Sequence, residues 1–133
     1  MKYLLDYSFI AELLKKEPSI NSIMWLKNKE ESGIFISALT IGEIQKSIST
    51  LPDSARKSNL EQWLLDLIER FDSRILPLDT EISLKWGKLF SESLDKIPLI
   101  DALLISTALV HNLVIITAGK FPAHPSVEIL TIK

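Results

Sequence analysis

The chain has 133 residues, 47% of them hydrophobic and 24% charged, with a formal net charge of −2. That balance excludes a disordered chain, and the lack of any cysteine excludes disulfide frameworks, thiolate zinc sites and cysteine nucleophiles. The basic excess common in nucleic-acid-binding domains is also missing, so any contact with RNA must be local or bridged by metal.

Met1-Lys2-Tyr3-Leu4-Leu5-Asp6 meets a carboxylate too early for a signal peptide. No apolar run approaches the ~18 to 20 residues of a membrane span, and the expectation is a soluble, cytoplasmic protein. Tyr3 to Leu5 reads as a short strand ending at Asp6. Ser8 then precedes Phe9, Ile10, Leu13 and Leu14 at helical spacing. Pro18 breaks that helix, and Ile20, Ile23, Met24 and Trp25 or Leu26 predict another, closed around Gly33. Ile34 to Ser37 is the second strand. A helix over Thr40 to Ser49 follows, opened by Thr40-Ile41-Gly42-Glu43, with Leu51-Pro52-Asp53 as a turn. Leu60, Trp63, Leu64, Leu67, Ile68 and Phe71 fall on one stripe of a helix between Asp53 and about Phe71. Ile75 to Leu78 is a short strand. Asp79 caps a helix with Ile82, Trp86, Leu89 and Phe90 on one face. From Leu99 to about Val110 apolar residues surround the cylinder, which predicts a central, buried helix ended by Asn112. Val114 to Thr117 and Val127 to Ile132 are the last strands.

Strands separated by helices predict an α/β fold, a three-layer α/β/α sandwich around a mostly parallel sheet, because parallel strands need helical crossovers. In such sheets sites form beyond the carboxyl ends of the strands. The residues there are Asp6, Glu43, Asp101 and Thr117. Each has a bland alternative: Asp6 a helix cap, Glu43 the return arm of a capping box, Asp101 a cap, Thr117 a strand-end hydroxyl bonded to backbone. Together they converge from four distant parts of the chain. Clustered carboxylates are tolerated when protons or hard divalent cations compensate them, and the chemistry then available is metal-assisted hydrolysis of a phosphodiester.

Tyr3-Leu4-Leu5-Asp6, Ser37-Ala38-Leu39-Thr40-Ile41-Gly42-Glu43-Ile44, Leu51-Pro52-Asp53, Pro98-Leu99-Ile100-Asp101-Ala102-Leu103 and His111-Asn112-Leu113-Val114 leading to Thr117 together resemble the PIN-domain toxins of the VapC type. The resemblance spans nearly the whole chain and implies one PIN-like domain over residues 1–133. It implies a Mg²⁺ or Mn²⁺ site on Asp6, Glu43 and Asp101, with Thr117 orienting water or a ligand. The implied activity is endonucleolytic RNA cleavage by a type II toxin, held in check by a cognate antitoxin and paired as a homodimer. In that family an antitoxin segment lies across an apolar groove and pushes a basic side chain toward the acids. Here the stripe of Leu60, Trp63, Leu64 and Leu67 with the helix around Ile20 to Leu26 is the expected groove.

Two departures bear on this. The family continues past the last inner strand as Thr-Arg-Asn, two variable residues, Asp and Phe, whereas this chain reads Thr117-Ala118-Gly119-Lys120-Phe121, so the fourth acid is absent. An asparagine or threonine after the first aspartate is replaced by Tyr7-Ser8, where Ser8 can still supply a hydroxyl. The alternative reading is a catalytically degenerate PIN-like domain kept as a binding module, for example for an antitoxin. A phosphatase or nucleotide-binding domain lacks support, since no Gly-rich phosphate loop follows any strand. Trp25, Trp63 and Trp86 read as core or interface anchors. Arg56 and Lys57, Lys27 and Lys29, and Lys85 and Lys88 read as solvated faces or an RNA path. His111 and His124 are outside the chemistry.

Overall fold

The computed structural model describes residues 1–91 and 96–133. Five strands, β1 (Tyr3–Leu5), β2 (Ile34–Ser37), β3 (Ile75–Leu76), β4 (Val114–Thr117) and β5 (Ile129–Thr131), form one sheet in the order β3-β2-β1-β4-β5. Every pairing is parallel. The helices are α1 (Tyr7–Leu13), α2 (Ile20–Lys27), α3 (Ala38–Ser49), α4 (Ala55–Phe71), α5 (Thr80–Leu89) and α6 (Leu99–His111).

Successive strand residues face opposite sides, and each side here has its own core. Leu5, Ile34, Ile36, Val114 and Ile116 pack with Phe9 and Ile10 of α1, Ile44 and Ile48 of α3 and Leu64 and Phe71 of α4. Leu4, Leu76 and Ile115 pack on the other side with Leu104, Ile105 and Ala108 of α6. The three-layer sandwich expected from the strand and helix rhythm is therefore the observed one.

Register positions the site. Leu5 pairs with Ile36 on one side and Ile116 on the other, so one step further along brings Asp6 level with Ser37 and Thr117. Among the central strands β1 contributes least length, and its two flanking ladders lock it from both edges.

Helix α6 is central as expected: Ala102 through Ala108 are all buried. Its interior hydroxyls are satisfied within the helix, Ser106 donating to the Ala102 carbonyl at 2.9 Å and Thr107 to the Leu103 carbonyl at 2.7 Å. Asn112 ends it in the left-handed conformation, φ 56°, a position that asparagine tolerates better than most side chains.

Several expected boundaries move. Helix α2 stops at Lys27, and Glu31–Gly33 is a separate 3₁₀ turn. Helix α3 begins at Ala38, two residues before Thr40, because Ser37 accepts the Leu39 amide at 3.1 Å and serves as its cap. Strand β3 ends at Leu76, ahead of Pro77, which has no N–H to continue a ladder. Strand β5 is shortened to Ile129–Thr131. Trp25 packs edge-on against Tyr3 and Phe9 at 5.0 and 5.6 Å between ring centroids, a core role, whereas Trp86 remains 37% exposed.

Ile105, fully buried at the centre of α6, tests this packing. Ile105→Ala should lower unfolding free energy by about 2–5 kcal/mol, transfer and cavity contributions together. Chemical denaturation measures it, and a loss below ~1 kcal/mol would mean that α6 is not packed against the sheet as described.

Candidate active site

Asp6 follows β1 and caps α1: its Oδ1 accepts the Phe9 amide at 2.9 Å. The cap reading of Asp6 is therefore the observed one. Ser8 Oγ lies 2.8 Å from Oδ1 and 3.0 Å from Oδ2, and the Thr117 hydroxyl donates to Oδ2. Both hydroxyls are oriented by the loop after β4, since the Ala118 amide donates to Ser8 Oγ at 3.0 Å and the Gly119 amide to Thr117 Oγ1 at 3.2 Å. A hydroxyl has a single proton to give, so Asp6 receives three: one from Phe9, one from Ser8 and one from Thr117. An ionised carboxylate has about four acceptor positions, which leaves about one for an outside ligand. Asp6 is only 7% exposed, and this network is what makes a buried carboxylate affordable there.

Thr117 is 1% exposed and its proton goes to Asp6. Its hydroxyl is therefore directed at the aspartate.

Glu43 lies in the second turn of α3, since that helix starts at Ala38. The capping-box alternative required a start at Thr40 and does not apply. Asp101 sits in the first turn of α6, where Pro98 occupies the cap position and supplies no side-chain bond; the cap alternative for Asp101 falls away too. A negative charge in that first turn is favoured by the helix dipole.

The three acids interact electrostatically. Burial raises the Glu43 pKa, and the charges of Asp101 and Asp6 raise it further, against a smaller opposing influence of Lys46. Burial raises the Asp101 pKa, with the Asp6 charge adding to it. Neither Glu43 nor Asp101 owes its shift to a hydrogen bond. Half-buried carboxylates beside like charge that, among the described residues, accept no hydrogen bond are suited to a hard cation. Among the described residues, no three Asp, Glu, His or Cys side chains are drawn together tightly enough to form a ready cage. Any cation here would rest on one or two carboxylates together with water and substrate phosphate, the way Mg²⁺ is usually held.

Lys120 is exposed, and among the described residues it forms no ion pair with the acids. Of the other cations, Lys57 is committed to the Leu51 carbonyl and Asp53, and Lys29 lies over the Tyr3 and Trp25 rings. His124 rests against Phe90 and His111 ends α6, at the opposite end of that helix from Asp101. On the α1 face a groove of about 430 Å³ is lined by Leu13, Leu14, Leu26, Trp63, Leu67 and Phe71, among others; of the stripe expected to form a groove it contains Trp63 and Leu67, while Leu64 is buried in the core. Sequence reasoning did not find the bond between the Tyr7 and Ser47 hydroxyls, and no local pattern signals it.

Raised pKa values of acids have a definite sign in stability. The folded state then holds more protons than the unfolded chain between the two pKa values, so stability falls as pH rises through that window and stays lower above it. Asp101→Asn and Glu43→Gln should each raise the thermal midpoint at neutral pH, and the gain should vanish in acid, where both states are protonated. Melting curves across pH check this; a lowered midpoint for both variants at neutral pH would refute the mutual repulsion.

Known proteins resemble the chain throughout its length. A family model described as PIN domain matches residues 3–121. Toxin FitB of Neisseria gonorrhoeae is 28% identical over 127 residues, covering 89% of each chain. VapC ribonuclease Y4jK of Sinorhizobium fredii is 24% identical over 122 residues, covering 89% of this chain and 87% of its own. Among solved structures, FitAcB from Neisseria gonorrhoeae superposes with a TM-score of 0.85 at 24% identity, over 96% of this chain and 95% of that one. VapBC2 from Rickettsia felis, bound to a DNA fragment from its promoter, gives 0.72 at 24% identity over 98% of both.

Proposed function

The chain belongs to the PIN-domain family, and from that membership we propose that it is a divalent-cation-dependent endoribonuclease, the toxin of a toxin–antitoxin pair. The observation that carries the reading is that Asp6, Glu43 and Asp101 lie close enough for the charges of Asp6 and Asp101 to raise the Glu43 pKa and for that of Asp6 to raise the Asp101 pKa. Asp6, Glu43 and Asp101 would hold Mg²⁺ or Mn²⁺. Such an ion, when bound, lowers the pKa of the attacking water and offsets charge developing on the phosphodiester.

The chain's own part is positioning. Thr117 and Ser8 fix the Asp6 carboxylate by hydrogen bonds. Glu43 and Asp101 bring negative charge from α3 and α6 without donors of their own. Arg56 on α4 is exposed and is a candidate for a substrate phosphate.

Partners follow from the relatives. A structural neighbour from Klebsiella pneumoniae is named as a toxin–antitoxin complex, and the groove beside α1 and α4 is where an antitoxin segment is expected to lie, with the toxin itself paired as a homodimer. Among the described residues no helix is long and apolar enough to cross a membrane, in keeping with a cytoplasmic setting. The absent fourth acid favours a second reading, a PIN domain that binds an antitoxin without cutting RNA; the exposed Lys120, free of the three acids, weighs against it.

Purified protein should cleave RNA with Mg²⁺ or Mn²⁺ and stop on chelation, and Asp6→Asn or Asp101→Asn should reduce the rate by at least about a hundredfold. Equal cleavage by wild type and both variants in nuclease-free preparations would reject the nuclease reading, and no cleavage by wild type with either metal would favour the binding module.

A further inference from the structure

We propose that Tyr7 and Ser47 are a positioning pair that sets the separation of the Asp6 and Glu43 carboxylates; this rests on the metal-site reading above. Tyr7 is the first residue of α1, directly after Asp6, and its hydroxyl is hydrogen-bonded to that of Ser47 on α3, 40 positions along the chain. Ser47 lies four residues after Glu43, hence one turn away on the same helix face. The bond therefore joins the residue beside one acid to the residue stacked on the other.

The two acids are held very differently. Asp6 is fixed toward β4 by Ser8 and Thr117. Glu43 owes its shift to burial and to the charges of Asp101 and Asp6, with no hydrogen bond among the causes, so its place depends on where α3 sits. Repulsion between Asp6 and Glu43 pushes α1 and α3 apart. Tyr7–Ser47 opposes that push, and among the described residues no other side-chain hydrogen bond connects these two helices. The position after the first aspartate, where the resembling toxins have asparagine or threonine, here carries the longer phenol that reaches α3.

Mn²⁺ binding to the full chain, followed by electron paramagnetic resonance, tests the pair separately from RNA cleavage. Tyr7→Phe and Ser47→Ala should each raise the Mn²⁺ dissociation constant by about three- to tenfold, the range for one hydrogen bond. The double variant should be no weaker than either single one, and Ser47→Thr, which keeps a hydroxyl, should restore wild-type affinity. Thermal midpoints should stay close to wild type, because the bond is exposed. If Tyr7→Phe binds Mn²⁺ within about twofold of wild type while Asp6→Asn loses it, the pair has no positioning role and the metal site stands. If Asp6→Asn binds as wild type does, the metal site fails and the pair fails with it.

Discussion

The Asp6 carboxylate, taking hydrogen bonds from the Phe9 amide and from the Ser8 and Thr117 hydroxyls, ties the end of β1, the start of α1 and the end of β4 into one unit. A buried carboxylate needs such donors to remain ionised and ordered. The parallel register delivers them, because Leu5 is level with Ile116 and its successor must then be level with Thr117. Glu43 and Asp101 are placed by helices that start at the same edge of the sheet, and among the described residues neither has a comparable set of donors. The cluster thus combines one anchored acid with two strained by burial and like charge, an arrangement that a cation or a proton relieves.

Helix α1 joins this edge to the groove on the same face. It is seven residues long, roughly 10 Å at 1.5 Å per residue. Asp6 caps one end, and Leu13 and Leu14 at the other line the groove with Trp63 and Leu67. A ligand seated in the groove would lie against the helix whose cap is the anchored acid, so occupancy there and geometry at the acids share a short, rigid connection.

Much of this was legible in the sequence because it is written in local periodicity. The stripe from Leu60 to Phe71, the all-round apolar helix from Leu99 and the run Val114 to Thr117 fix α4, α6 and β4 nearly as observed. The parallel topology then implies which residues meet. Boundaries were harder where two polar patterns compete: Thr40-Ile41-Gly42-Glu43 looks like a capping box, yet Ser37 caps α3 and leaves Glu43 in the second turn. Strand ends at Pro77 and before Ile129 were overread, since β propensity does not say where pairing partners stop. One donor to Asp6 comes from Thr117, 111 positions away, and Tyr7–Ser47 spans 40; no local pattern encodes a hydroxyl meeting that depends on how two elements are packed. Trp86 kept the spacing of a core residue, but the described part of the fold leaves it partly open.

The distance along the chain between Asp6 and Thr117 also bears on synthesis. A ribosome delivers β1 before the strand that must lie beside it, and the hydroxyl that holds the Asp6 carboxylate emerges 111 positions later. Nascent domains complete their folding as units, so the acidic edge is assembled late, and a truncated product lacking β4 would retain Asp6 without the partner strand that orients it.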